Sequence, residues 1–412
     1  MFVREILAMV VAFTFLIFFP KKRLWTGFVL LLTGLIIGIA SGQGLIGAWR
    51  NFIAIPTSPV TVKTIIVVLQ VGVLSTLMKH YGVLDKLVAA FENVFSSAKT
   101  VIMLLPTAFG MLAVPGGAQL SSPFVHKLGE SMGISVEKRA AVNLTFRHLN
   151  YFILPTSASM IVFSNLAPHV SLYRLIALNV GFIVLMLITS YLLYLRDAPT
   201  AEIPATGRRL AGLRDIVIYL SPIYLIPLLN GILGIEMYLC GFISLLLIFV
   251  AWGIKSPATY CRVFCQGVNL KTLVTLLGIY YIQNTVRNLS GIMGAFQAMF
   301  LQTSGLMILL VIAAATLLFG LTTGLSYLPQ GILIPLLIGL GLPAAEELIY
   351  CFFIYTWSFL GYFFSPLHLC QVLTLHQMGG DIAKLDRLYI PLMCESAVST
   401  FVLFYLYKFI LL

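Results

Sequence analysis

Apolar runs long enough to cross a bilayer recur from one end of this 412-residue chain to the other. A spanning helix needs about 20 mostly apolar residues to bridge about 30 Å of hydrocarbon. With 60% of residues hydrophobic and only 9% charged, the chain is far too poor in charge for a soluble domain. The runs are continuous, whereas a membrane β-barrel would show alternating strands of about ten residues. The sequence therefore predicts an all-α polytopic membrane protein.

The formal net charge of +11 does not indicate a nucleic-acid partner. Lys and Arg sit in short clusters between apolar runs, where membrane orientation alone puts them. The first run, "EILAMVVAFTFLIFF", is followed by "PKKR"; a cleavable signal carries its charge before the run, so a retained helix is expected, its end in the cytoplasm. Cys261 and Cys265 lie one helical turn apart, yet no His or second Cys pair near them completes a metal site. No metal beyond a sodium ion is expected.

Predicted helices cover 4–19, 24–46, 61–79, 149–166 and 172–195, then 215–234, 237–254, 269–286, 348–378 and 389–411. The segment "RDAPTAEIPATGRRLAGLRD", Arg196 to Asp215, is the one linker-like connector, and it divides the chain almost in half. Lys21, Lys22, Arg23, Lys79, Lys86, Lys127, Lys138, Arg139, Arg147, the linker arginines, Lys255 and Arg262 are all assigned to the cytoplasm. Cytoplasmic charge on both sides of 99–123 makes that segment a re-entrant hairpin.

The second half repeats the first. "VKTIIVVLQVGVLSTLMKHYGVLDKLVAAF" from Val62 resembles "LKTLVTLLGIYYIQNTVRNLSGIMGAFQAMF" from Leu270. "FGML" at Phe109 matches "FGLT" at Phe319, and "YFILP" at Tyr151 matches "YFFSP" at Tyr362. The offset drifts only from 208 residues at Thr64/Thr272 to 211 at Tyr151/Tyr362. By charge, the helix at 61 runs inward and its counterpart at 269 runs outward. Inverted repeats of this kind are typical of secondary transporters. The expected organisation is a first repeat at 1–195 (scaffold helices 4–79, transport elements 99–195), a cytoplasmic linker at 196–214, and a second repeat at 215–412 (scaffold helices 215–286, transport elements 305–412).

Polar and helix-breaking residues interrupt each half twice: "AVPGGAQLSSP" (113–123) and "LPTSASM" (154–160), then "TTGLSYLPQG" (322–331) and "SFLGYFFSPLHLC" (358–370). Irregular backbone at membrane depth is tolerated only where it lines a cavity or is buried in protein. Broken helices leave free carbonyls for cations and N-termini for anions. The four breaks are expected to meet near the midplane. Pro115, Gly116, Gly117, Gln119, Ser121, Ser122, Thr156, Ser157, Thr323, Ser326, Gln330, Ser365 and His368 are the candidate solute ligands. Gly116, Thr156, Ser159, Thr322 and Ser365 are the candidate ion ligands. Pro106, Pro222 and Pro227 read as kinks.

Intramembrane charge usually marks function. Glu395 is a candidate proton carrier or an interface residue, and His368 is the best-placed titratable group. His148 reads as a solute contact or a cap beside Arg147.

The "PGGAQLSSP" tip, the "LPTS" break and above all "GYFFSPLHLC" resemble a prokaryotic integral membrane family catalogued as domain of unknown function 401. That family is grouped with an ion transporter superfamily holding dicarboxylate–sodium symporters, gluconate permeases, and arsenite and sodium–proton carriers. The resemblance implies a homodimeric elevator carrier in the cytoplasmic membrane of a prokaryote. The symporters often carry Ser-Asn-Thr at the hairpin tips; here the tips read Gly-Gly-Ala-Gln and Gly-Leu-Ser-Tyr.

The leading expectation is sodium- or proton-coupled transport of a small anionic organic solute, without a further cofactor. A neutral or amphipathic solute is the alternative cargo. A sodium–proton antiporter using Glu395 or His368 is the alternative function, although no Asp or Glu lies in a hairpin or break. An intramembrane enzyme is not expected: Ser365 and His368 are the one near pair, without a nucleophile-elbow context. A channel has no need of two pseudo-symmetric hairpins.

Overall fold

A computed structural model describes residues 2–18, 26–111, 118–200, 208–302 and 305–412. All elements among the described residues are helical, and no strand occurs. Among the described residues, six helical stretches are long and apolar enough to cross a bilayer: Pro59–His80, Leu172–Tyr194, Arg209–Leu233, Pro257–Arg287, Gly305–Thr323 and Ile382–Leu411. The chain is an α-helical polytopic membrane protein.

The outward faces of the long helices are apolar. Leu172–Tyr194 exposes Val180, Val184, Ile188 and Leu192, one residue per turn on a single face. Ile382–Leu411 does the same with Val398, Val402, Leu406 and Phe409. Such stripes would be a liability in water and are suited to hydrocarbon. Helix starts are capped by short polar side chains: Ser58, Ser135 and Ser171 accept from backbone amides three residues on, and Asp381 accepts from two. Pro106, Pro222 and Pro227 lie inside helices, as the kink reading requires.

Packing recurs between the halves with the roles exchanged. Thr26–Ala40 packs along Leu270–Arg287, and Met237–Ile248 packs along Pro59–His80. Phe2–Phe18 meets Ser290–Gln302, while Arg209–Leu233 meets Val83–Val94. Ala158–Leu166 lies on Tyr327–Ile338, and Leu369–Met378 lies on Ala118–Ser131. Leu172–Tyr194 and Ile382–Leu411 pack on each other.

The expected spans 149–166 and 348–378 are each broken. The first divides into Asn150–Ile153 and Ala158–Leu166, the second into Ala344–Phe363 and Leu369–Met378. Several shorter helices lie outside the predicted spans or straddle their edges, among them Gly44–Thr57, Val83–Val94, Pro257–Gly267 and Ser290–Gln302.

The largest difference from the sequence reading concerns Val136–His148. It lies outside every predicted span, yet every residue from Arg139 to His148 is buried. Arg139 and Arg147, counted above as cytoplasmic charge, are among them. Hydrogen bonds satisfy part of this polar helix. Arg139 Nη1 donates to the His126 carbonyl at 3.1 Å, and Asn143 Nδ2 donates to Thr374 Oγ1 at 3.2 Å.

Candidate functional site

A cavity of about 790 Å³ lies where the broken helices meet Pro59–His80 and the start of Leu270–Arg287. One wall is the interruption at 154–157, a second is Gly324–Tyr327, and a third is the start of Leu369–Met378. Val68, Gly72 and Thr76 face these breaks, together with Gln266 through Thr272.

Three of the breaks put a helix N-terminus at the cavity. Ser157 caps Ala158–Leu166, Ser326 precedes Tyr327–Ile338, and His368 precedes Leu369–Met378. Amide groups and the positive end of the helix dipole favour negative charge there. Arg147 and Lys271 also line the cavity, and no carboxylate is among its described lining residues. Its electrostatic character is cationic.

The breaks at 154–160 and 322–331 are tied together. Ser159 Oγ and Ser326 Oγ share a hydrogen bond of 2.8 Å. Gln330 Nε2 donates to Tyr151 Oη at 2.8 Å, and Tyr355 Oη donates to the Tyr151 carbonyl. Ser365 Oγ donates to the Leu321 carbonyl at 2.6 Å and accepts from Leu367 N at 3.1 Å. Gly324 has φ +65, and a Cβ on it would stand 2.8 Å from the Leu367 carbonyl oxygen, so these two breaks pass too closely for a side chain.

Of the predicted ligands, Thr156, Ser157, Ser159 and Ser326 line the cavity. The Thr156 hydroxyl is buried there without a protein hydrogen-bond partner. Gln330 and Ser365 sit behind the lining, in the network that shapes it. Thr322 and Thr323 donate to carbonyls of their own helix, Leu318 and Phe319. Ser121 is buried away from the cavity and donates to Asn143 Oδ1 at 2.6 Å. Ser122 is buried with an unpartnered hydroxyl. Glu395 is held within the last helix by Ser399 and Ser396 and does not reach the lining. Pro115, Gly116 and Gly117 lie outside the described residues, as does the side chain of Gln119.

A compact cluster stands at one edge of the cavity, where His148, Tyr362 and Cys370 line it and the buried His368 sits behind them. His148 Nδ1 donates to the Leu144 carbonyl at 2.7 Å and His368 Nδ1 to the Phe363 carbonyl at 3.1 Å. Their Nε2 atoms face each other at 3.2 Å, and Tyr362 Oη is 3.2 Å from His148 Nε2. Cys370 joins them, and the buried Arg147 guanidinium lies beside Cys370 and Tyr362. Arg147, Tyr362 and Cys370 are cavity residues that the break pattern alone does not single out. The signal for Arg147 was its position in "FRHLN", shortly before the break at 154–160.

No curated protein matches the chain. A family described as a protein of unknown function, DUF401, matches residues 13–406, nearly the full length, and the chain belongs to that family.

Proposed function

We propose that the protein is a secondary active transporter for a small anionic organic solute. In this reading it is an inverted-repeat elevator carrier, a homodimer in the cytoplasmic membrane of a prokaryote. The observation that carries it is the cationic cavity: three helix N-termini, Arg147 and Lys271 converge on it, and no carboxylate opposes them. Its volume falls in the range of small-molecule sites, about 300–1,000 Å³.

Two further features support the reading. The exchanged packing of the two halves is what an inverted repeat would produce. The cavity also lies between two sets of elements, Pro59–His80 with residues 266–272 on one side and the breaks on the other. Sliding of the second set against the first would carry a solute along that seam. Sodium or proton coupling supplies the drive, and Thr156 is the lining hydroxyl left available to an ion or solute.

The test is thermal stability of the purified protein across organic anions and neutral metabolites, with sodium or potassium as the salt. A true solute at 100 times its Kd should stabilise by about 2.7 kcal/mol. Arg147→Gln and Lys271→Gln should each weaken that response. A panel in which only neutral solutes stabilise would overturn the anion assignment. A response to sodium or pH alone, with no solute effect, would favour the antiporter.

A further inference from the structure

We propose that His148, His368 and Cys370 form a transition-metal site, with Zn²⁺ as the ion it fits best. The inference stands whether or not the chain carries a solute.

The argument begins with the protons. A carbonyl oxygen only accepts, so Leu144 and Phe363 fix the hydrogen of each ring on Nδ1. Both Nε2 atoms then present lone pairs, and they do so toward each other at 3.2 Å. Tyr362 can donate to one of them but leaves the other facing a like dipole. Two neutral imidazoles hold this posture comfortably only around a cation.

The spacing suits a metal. Zn–N bonds of about 2.0–2.1 Å at a tetrahedral angle separate two ligand nitrogens by about 3.3 Å. The three ligand atoms, including Cys370 Sγ, all lie within 4.8 Å of one another. Rotation of Cys370 about its Cα–Cβ bond adjusts the sulfur to the metal. A thiolate with two imidazoles selects Zn²⁺ or Cu⁺ over the hard cations. The Nδ1-to-carbonyl bonds are also the outer support that metal-binding histidines usually have, fixing tautomer and ring orientation.

A shared proton is the competing explanation for the histidine pair. It accounts for the two nitrogens but gives Cys370 no part. A metal uses all three groups, and a Zn²⁺ ion with one thiolate keeps a net charge of +1 that an anion could neutralise. Three protein ligands leave a fourth position open toward the cavity, the pattern of sites that bind exogenous ligands. If the anion reading above is correct, the solute would occupy that position. The sequence spacing did not suggest this site because His148 and His368 are 220 residues apart.

The experiment uses the full chain, purified in detergent through a tag without histidine, stripped with chelator and reloaded with Zn²⁺. Metal analysis should find one zinc per chain in the wild type. Zinc should fall about tenfold or more in Cys370→Ser and in His368→Gln, as expected for loss of a ligand. Loading with Co²⁺ should give a thiolate-to-metal charge-transfer band that Cys370→Ser abolishes. Melting temperatures of the stripped proteins identify any variant that fails to fold, and the Co²⁺ spectrum of the wild type needs no variant. No retained zinc in the wild type, equal zinc in wild type and both folded variants, or Co²⁺ bound without the thiolate band would each overturn the assignment.

Discussion

Asn143 shows at the scale of one residue how the polar interior is held. It is fully buried, accepts from Ser121 Oγ at 2.6 Å and donates to Thr374 Oγ1 at 3.2 Å. Three separate elements thus meet on one side chain. Asn143→Leu should leave both hydroxyls buried without this partner and destabilise the protein by about 1–3 kcal/mol. A denaturation midpoint in detergent would reveal the loss, and an unchanged midpoint would mean that the amide is not a structural tie. Thr156→Ala makes the opposite prediction. Its hydroxyl has no protein partner, so stability should move by less than about 0.5 kcal/mol while solute- or ion-induced stabilisation falls. At this scale the sequence was legible where a polar residue stood beside a helix breaker, as at Thr156, Ser159 and Ser326. It was opaque at Asn143. That residue lies in an unbroken helix and its amide is satisfied by Ser121 and Thr374 of other elements, and neither periodicity nor composition encodes a partner of that kind.

The elements show a close crossing repeated in both halves. A Cβ on Gly320 would sit 2.6 Å from the Gly361 backbone, so Gly305–Thr323 and Ala344–Phe363 touch main chain to main chain. Gly110, the matching residue of "FGML", approaches the Arg147 carbonyl and Asn150 in the same manner. Membrane helices lack a hydrophobic drive to associate and rely on small residues for close contact. Gly320→Val should force those backbones apart and cost about 1–3 kcal/mol, read as a lower melting temperature. A valine variant as stable as the wild type would mean the crossing opens freely. The breaks themselves were readable because proline and glycine act locally, through a missing donor or a missing Cβ. Short helices such as Val83–Val94 and Ser290–Gln302 were not, since each packs against an element from the other half and its burial is set by that distant neighbour.

Orientation belongs to the whole molecule, and one ion pair makes it testable. Lys63 Nζ lies 2.8 Å from Glu236 Oε1, joining the start of Pro59–His80 to the start of Met237–Ile248. The charge pattern runs the first of these helices inward and brings Arg209–Leu233 outward from the linker. Both predict that Lys63 and Glu236 share the outer surface, and the observed contact agrees that they share a side. An exposed pair of this sort adds little stability, so its value here is geometric. In a background without the exposed Cys261, Cys265 and Cys394 thiols, Lys63→Cys and Glu236→Cys should react with an impermeant maleimide in intact cells. Arg214→Cys should react only after permeabilisation. Labelling of all three from outside would refute the crossing count and with it the inversion of the repeats. Labelling of Arg214→Cys alone would keep the repeats and turn the whole molecule over. The cavity's Gln266–Thr272 wall would then face outward, reversing the side from which a solute first enters.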